Sequence, residues 1–385
     1  MNNKNTSTVT ILNPPKIVIG EDCFDKFIAD ILQLGFKKLF VLSIAALQEQ
    51  LAPGLEKLTL NDVQVKVNSD IKNEPSFEEF ENILKEVRLY NADAIVGIGG
   101  GSVLDVSKLL AAQLLNTQTT AEIIGIGNLK ERKIYLACIP TTSGTGSEVS
   151  PNAILVDENA NKIGVISPFL VPDAAYIDPV LTISVPKGIT AATGIDALSH
   201  CLEAYTNKFS QPIIDLIALE GIRLVANNLL KVCQNGADLE ARSQLSLASL
   251  YGGMCLGPVN TAAAHALAYP LGTNFHISHG LSVALILPAV MEFTLLEAPQ
   301  RYAAVAIALG ADKKQTDFET AQEGVKILKK LIEDCGLPTK LSELSIPLDS
   351  IKSMAAQAIK VERLLKNNLR VVTLEDAEAI YSLAF

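Results

Sequence analysis

Through the first half of the chain, short apolar runs alternate with amphipathic stretches. KIVIG (16–20), KLFVLS (38–43), VQVKV (63–67), AIVGIGG (94–100) and IYLACIP (134–140) have strand length and β-branched residues. Between them, stretches such as SFEEFENILKEVRLY repeat their apolar positions at helical spacing. That alternation predicts a parallel sheet covered by helices. ILVDENANKIGVIS (154–167) reads as a hairpin turning at Glu158 to Asn161, followed by AAYIDPVLTISVP. From about residue 187 the periodicity is helical, with no convincing strand. SQPIIDLIALEGIRLVANNLLKVC is apolar on most of its circumference, which suits the inside of a helical bundle. The pattern divides the chain into an α/β domain over residues 1–186 and an all-helical domain over 187–385. A cleft between two such domains is a favoured place for a ligand.

Composition narrows the classes of partner. Of the 385 residues, 49% are hydrophobic and 19% charged, enough to build a large core in each domain. The net charge of −10, without a Lys/Arg run that could track a phosphate backbone, argues against nucleic acid. Apolar runs such as SVALILPAV fall short of the ~20 residues of a membrane span. MNNKNTSTVTILNPPK lacks the basic start, apolar centre and cleavage site of a signal peptide, so a cytoplasmic protein is expected. Six cysteines without a CxxC pair are expected to be reduced, buried thiols.

Two turns carry candidate phosphate chemistry. In AIVGIGGGSVLDVSKLLAAQLL a buried strand meets Gly99, Gly100, Gly101 and Ser102 and then a helix. Glycines let backbone approach a ligand, and the helix start attracts an anion. The turn is not in the first βα unit, where a dinucleotide fingerprint normally sits. PTTSGTGSEVSPN (140–152) supports it, because Thr141, Thr142, Ser143, Thr145 and Ser147 offer polar groups at a second strand end.

The four histidines are distributed unevenly. Asp196 and His200 stand four apart in GIDALSHCLEAY and share one helix face. His265, His276 and His279 crowd into HALAYPLGTNFHISHG, read as a helix ended by Pro270, a loop, and a new helix starting near His279. Asp196, His200, His265 and His279 together make a mixed oxygen and nitrogen donor set. Such donors suit Fe²⁺, Zn²⁺, Co²⁺ or Ni²⁺, and their type does not choose among them. A divalent ion there would act as a Lewis acid on an alcohol or carbonyl oxygen, and a neighbouring dinucleotide would make hydride transfer the natural chemistry.

With GGGSVLDVSK (99–108), PTTSGTGSEV (140–149), ATGIDALSHCLEAY (192–205) and HALAYPLGTNFHISHG (265–280), the chain resembles the iron-containing (group III) alcohol dehydrogenases. The resemblance runs over nearly the whole sequence. It implies a dehydroquinate synthase-like fold, with an N-terminal dinucleotide-binding α/β domain, a C-terminal helical-bundle domain and a catalytic metal between them. It further implies metal ligation by Asp196, His200, His265 and His279, with iron the usual ion and zinc found in relatives. NAD(P)(H) contacts would fall on Gly99, Gly100, Gly101, Ser102, Asp105, Thr141 and Thr142, with Asn152 and Lys162 near the nicotinamide end. The substrate would be a small alcohol or aldehyde, and a homodimer would form through the N-terminal strand in TVTILNPPKIVIG.

Two positions depart from that family's pattern. Many members carry a histidine four residues after the third ligand, where this chain has Tyr269. Tyr269 and His276 are therefore expected to shape the pocket or relay a proton. Members preferring NAD often have an aspartate after the second strand, where FVLSIAAL offers Ser43 or Ile44. Without that charge a ribose 2′-phosphate meets no repulsion, so NADP(H) is expected to be tolerated. The competing expectation is a dehydroquinate synthase-like lyase or cyclase, which would need basic residues for a phosphorylated sugar acid. Few Lys/Arg lie near these motifs.

Overall fold

The computed structural model describes residues 8–71, 75–157 and 162–385. Two compact units emerge: Leu12–Thr142 with Gly146–Ser184, and Val185–Phe385 with Ser143–Thr145 and the segment ending at Ile11.

Among its described residues the first unit has nine strands: β1 (Lys16–Ile19), β2 (Lys38–Leu42), β3 (Gln64–Asn68), β4 (Ala94–Gly99), β5 (Gly125–Ile126), β6 (Tyr135–Pro140), β7 (Asn152–Val156), β8 (Lys162–Ile166) and β9 (Ala174–Ile177). Its α-helices among the described residues are α1 (Cys23–Leu34), α2 (Gln48–Leu60), α3 (Phe77–Tyr90), α4 (Gly101–Gln113) and α5 (Thr120–Ile123). Six strands form one parallel sheet in the order β1-β9-β6-β4-β2-β3. The period of two sends Phe40, Leu42, Ile95, Leu136 and Cys138 into one apolar cluster. Leu39, Val41, Ala94, Val96, Ala137 and Ile139 go into the other. Both faces of the sheet are thus buried, as parallel sheets require. β7 and β8 pair antiparallel, as the sequence leads one to expect; the turn at residues 158–161 lies outside the described residues.

The second unit is helical: α6 (Lys187–Tyr205), α7 (Pro212–Gln234), α8 (Leu239–Leu256), α9 (Ala263–Phe275) and α10 (His279–Thr294) are its first five helices. α11 (Pro299–Ala308), α12 (Asp317–Asp334), α13 (Ile351–Ala358), α14 (Glu362–Leu365) and α15 (Leu374–Leu383) complete it. α6 is buried along nearly its whole length. It is the central rod of the unit rather than an amphipathic surface helix.

α9 does not stop at Pro270 but continues to Phe275. Proline removes the donor for the Ala266 carbonyl, yet Pro270 and Leu271 are buried and packing holds the helix through that defect. Termination comes instead at His276, in a left-handed conformation (φ 55°), whose backbone N–H turns back to the Leu271 and Gly272 carbonyls.

All six cysteines are free and buried. No helix among the described residues is long and apolar enough to cross a membrane.

Candidate metal centre and nucleotide turns

Asp196, His200 and Glu203 lie along one face of α6, at i, i+4 and i+7. α9 brings His265 in its first turn, and α10 brings His279 as its first residue. Three helices therefore aim ligand-type atoms at one oxygen. Asp196 Oδ1 is 3.6 Å from His265 Nε2, 3.6 Å from His279 Nε2 and 3.9 Å from His200 Nε2. The ligand atoms of Asp196, His265 and His279 all lie within 4.8 Å of one another; His200 is not in that group and reaches the cluster through its contact with Asp196. The His200 and His265 rings stack at a centroid distance of 4.8 Å.

These spacings test whether an ion fits. Two donors each about 2.1 Å from one ion at a tetrahedral angle stand about 3.4 Å apart, too far for a hydrogen bond between them. The two 3.6 Å separations match that geometry. Asp196 Oδ1 and His265 Nε2 are buried without a hydrogen-bond partner. Leaving buried polar atoms unsatisfied costs about 1–3 kcal/mol each, which a shared cation would offset.

Without an ion, the charges of the cluster settle on its own side chains, and positive charge is favoured there. Burial disfavours the Asp196 carboxylate, but His200, His279 and His265 outweigh it and hold the carboxyl well below its usual range. Burial lowers the His200 imidazole. For His265, burial also disfavours the charged ring, yet Glu203 and Asp196 on either side raise it to about 10.

Glu203 is the functional side chain the sequence reading missed. Its Oε2 meets His265 Nδ1 at 2.6 Å, and its Oε1 accepts the backbone N–H of Ala264 at 2.6 Å. One buried carboxylate thus caps the start of α9 and fixes the histidine ring, so that Nε2 faces Asp196. The signal was present as a third polar residue continuing the Asp196 and His200 face.

Tyr269 stands one helical turn beyond His265, its ring 6.2 Å from that of His279. Arg363 Nη2 donates to the Tyr269 hydroxyl at 3.1 Å. His276 goes elsewhere. It is exposed at the C-cap of α9, and no side-chain contact of His276 with the cluster occurs among the described residues.

The two polar turns meet at neighbouring strand ends of the first unit. Gly99 of β4 faces Pro140 of β6, and the Thr141 N–H donates to the Gly99 carbonyl at 3.0 Å. Gly100 caps α4, and a Cβ there would come within 3.4 Å of Thr142 Oγ1. Backbone N–H groups at the start of α4, beginning at Gly101 and Ser102, supply the anion-attracting end.

Asp105 is occupied within the fold, accepting from Ser147 Oγ at 2.5 Å and the Ile154 N–H at 2.9 Å. Fully buried Lys108 donates to the Ser150 carbonyl at 3.0 Å, to Ser150 Oγ at 3.2 Å and to the Asn152 carbonyl at 2.8 Å. Asp105 and Lys108 therefore brace the segment carrying Asn152. Lys162 opens β8, whose partner Val156 ends β7. Ser43 is buried, its hydroxyl donating to the Ile98 carbonyl at 2.9 Å. Ser143 and Thr145 belong to the helical unit, where Ser143 Oγ lies 3.0 Å from Ser246 Oγ.

Comparison with known proteins accounts for both units. The family described as iron-containing alcohol dehydrogenase matches residues 14–179, and the C-terminal model of the Fe-containing alcohol dehydrogenase family matches 190–385. Long-chain-alcohol dehydrogenase 1 of Geobacillus thermodenitrificans (strain NG80-2) is 34% identical, over 98% of this chain and 97% of the relative. Sulfoacetaldehyde reductase of Bilophila wadsworthia (strain 3_1_6) is 30% identical, over 96% and 97%. Among solved structures, a 1,3-propanediol oxidoreductase superposes with a TM-score of 0.95 at 28% identity, covering 98% of this chain and 100% of that one.

Proposed function

Since this chain belongs to the iron-containing alcohol dehydrogenase family and is a nicotinamide-linked oxidoreductase of alcohols and aldehydes, we propose that Asp196, His200, His265 and His279 hold the divalent ion of its active site. The observation that carries this is the convergence of three imidazole nitrogens on the buried Asp196 Oδ1. Bound there, the ion would supply Lewis-acid polarisation of a carbonyl or alcohol oxygen, and a nicotinamide would supply or accept hydride.

The chain's own residues do the rest. Glu203 sets the tautomer of His265, and Asp196 provides the negative charge that keeps a cation in a buried pocket. Tyr269, beside His279, borders the reacting centre and offers a phenol for proton exchange with the substrate oxygen. In the first unit, Gly99, Gly100, Gly101, Ser102, Thr141 and Thr142 receive the pyrophosphate, and Asn152 and Lys162 lie toward the nicotinamide. Iron is the ion proposed, with zinc as the substitute the same donors accept.

NADP(H) is proposed to be accepted beside NAD(H), because the turn after β2 carries no carboxylate to repel a 2′-phosphate, the Ser43 hydroxyl being turned inward to Ile98. A kinetic preference for NADPH, or parity, supports this; a large preference for NADH opposes it. The homodimer is proposed on the edge position of β1, which ends the six-stranded sheet, and sedimentation tests it.

Metal content and turnover of Asp196→Ala test the site. About one ion per chain in the parent and loss of both ion and activity in the variant are expected. A metal-free variant with full turnover would refute the assignment.

A further inference from the structure

The helical unit carries five arginines, and four have evident partners within the fold. Arg223 pairs with Glu220, Arg301 with Asp215 and Arg370 with Asp376, while Arg242 donates to the Gly236 and Val185 carbonyls. Arg363 differs. Half-buried on α14, it touches Tyr269 through a hydrogen bond to the hydroxyl and through the ring, 5.9 Å from its centroid. No carboxylate among the described residues lies within ion-pair distance of it.

Its position gives that uncompensated charge a direction. Tyr269 is one turn along α9 from His265 and 6.2 Å, ring to ring, from His279. A guanidinium held against this phenol is separated from His279 by one aromatic ring, in a chain whose net charge is −10. A fixed, partly desolvated guanidinium without a counter-ion matches a planar or trigonal anion through two parallel N–H donors.

Resting on the functional reading above, we infer that Arg363 selects substrates by their far end: short-chain aldehydes, and the corresponding alcohols, that carry a terminal carboxylate or sulfonate. The carbonyl oxygen meets the Asp196, His265 and His279 cluster while the anion displaces water at Arg363, with Tyr269 between them. A neutral aldehyde leaves the guanidinium without its partner and gains nothing from it. Arg363 is thus a specificity-determining residue, and the Tyr269 hydrogen bond keeps it in place.

The test is steady-state reduction by the metal-loaded protein of 4-oxobutanoate, 3-oxopropanesulfonate and the neutral pentanal, in the parent and in Arg363→Gln and Arg363→Lys. The parent should favour at least one anion over pentanal in kcat/KM, and the better anion tells carboxylate from sulfonate. In Arg363→Gln that preference should fall about 100-fold, mainly through KM, with Arg363→Lys between the two. An unchanged thermal midpoint in either variant confirms folding. Equal loss for charged and neutral aldehydes would reduce Arg363 to a support for Tyr269 and overturn the inference. So would a parent without anion preference. If no aldehyde is reduced at all, the functional reading fails and the substrate class falls with it.

Discussion

Glu203 holds His265 by a 2.6 Å contact at Nδ1, and this directs Nε2 of the same ring toward Asp196, 3.6 Å away. The orientation of a proposed ligand is therefore set from behind. Ring flips would cost the Glu203 contact in a buried site, so the nitrogen offered to an ion is settled before any ion arrives.

Glu203→Gln should weaken metal binding about 10- to 100-fold while leaving the ligand atoms in place. The variant amide can still accept from the Ala264 N–H, so the cap on α9 survives. Competition between the protein and a chromophoric chelator measures the affinity. Affinity unchanged from the parent would mean the carboxylate is only a cap.

Gly280 follows His279 at the point where α10 approaches α6. A Cβ at residue 280 would lie 2.5 Å from the Ala192 carbonyl oxygen, a backbone atom that cannot rotate away. Gly280→Ala should therefore push the start of α10 outward, lowering stability by about 1–3 kcal/mol and loosening His279 from the cluster. Denaturant unfolding and metal titration would show the two losses together.

Lys108→Met removes a fully buried cation that holds the Ser150 and Asn152 carbonyls. Burial already disfavours the charged lysine, and Asp105 is the main group opposing that. Deleting one partner of such a cluster should cost about 3–5 kcal/mol. Cofactor binding should suffer as well, because the segment through Asn152 loses its brace; fluorescence titration with NADH reads that effect.

Glu148 is buried in the same unit, and burial raises its carboxyl from 4.5 to about 7, with Lys108 only partly opposing. The folded protein thus binds a proton that the unfolded chain has released between those two pH values. Stability from this group is fully present below pH 4.5 and is lost as pH rises toward and through 7. The span corresponds to on the order of 3 kcal/mol. Glu148→Gln should flatten the dependence of unfolding free energy on pH across that window. A slope as steep as in the parent would assign the dependence to other groups.

Local pattern was enough to foretell much of this protein. The β-branched runs at 38–43, 94–100 and 134–140 became β2, β4 and β6, because a strand buried on both faces needs continuous apolar residues and little else. Asp196 and His200 could be paired from their spacing, since helical geometry alone places residues four apart on one face. The hairpin of β7 and β8, and the helical character beyond residue 187, were legible for the same local reason.

Tertiary packing decided the remainder. Whether His265 and His279 join Asp196 depends on how α9 and α10 dock against α6, which no spacing along the chain encodes. The same docking buries Glu203 behind His265 and leaves His276 exposed, though His276 and His279 are neighbours in sequence. Pro270 suggested a helix end that burial overrode. Arg363 came to Tyr269 from a distant segment of the chain. Residue type and local periodicity determined what chemistry was available; long-range contacts, whose energies arise only once the helices pack, determined which groups share a site.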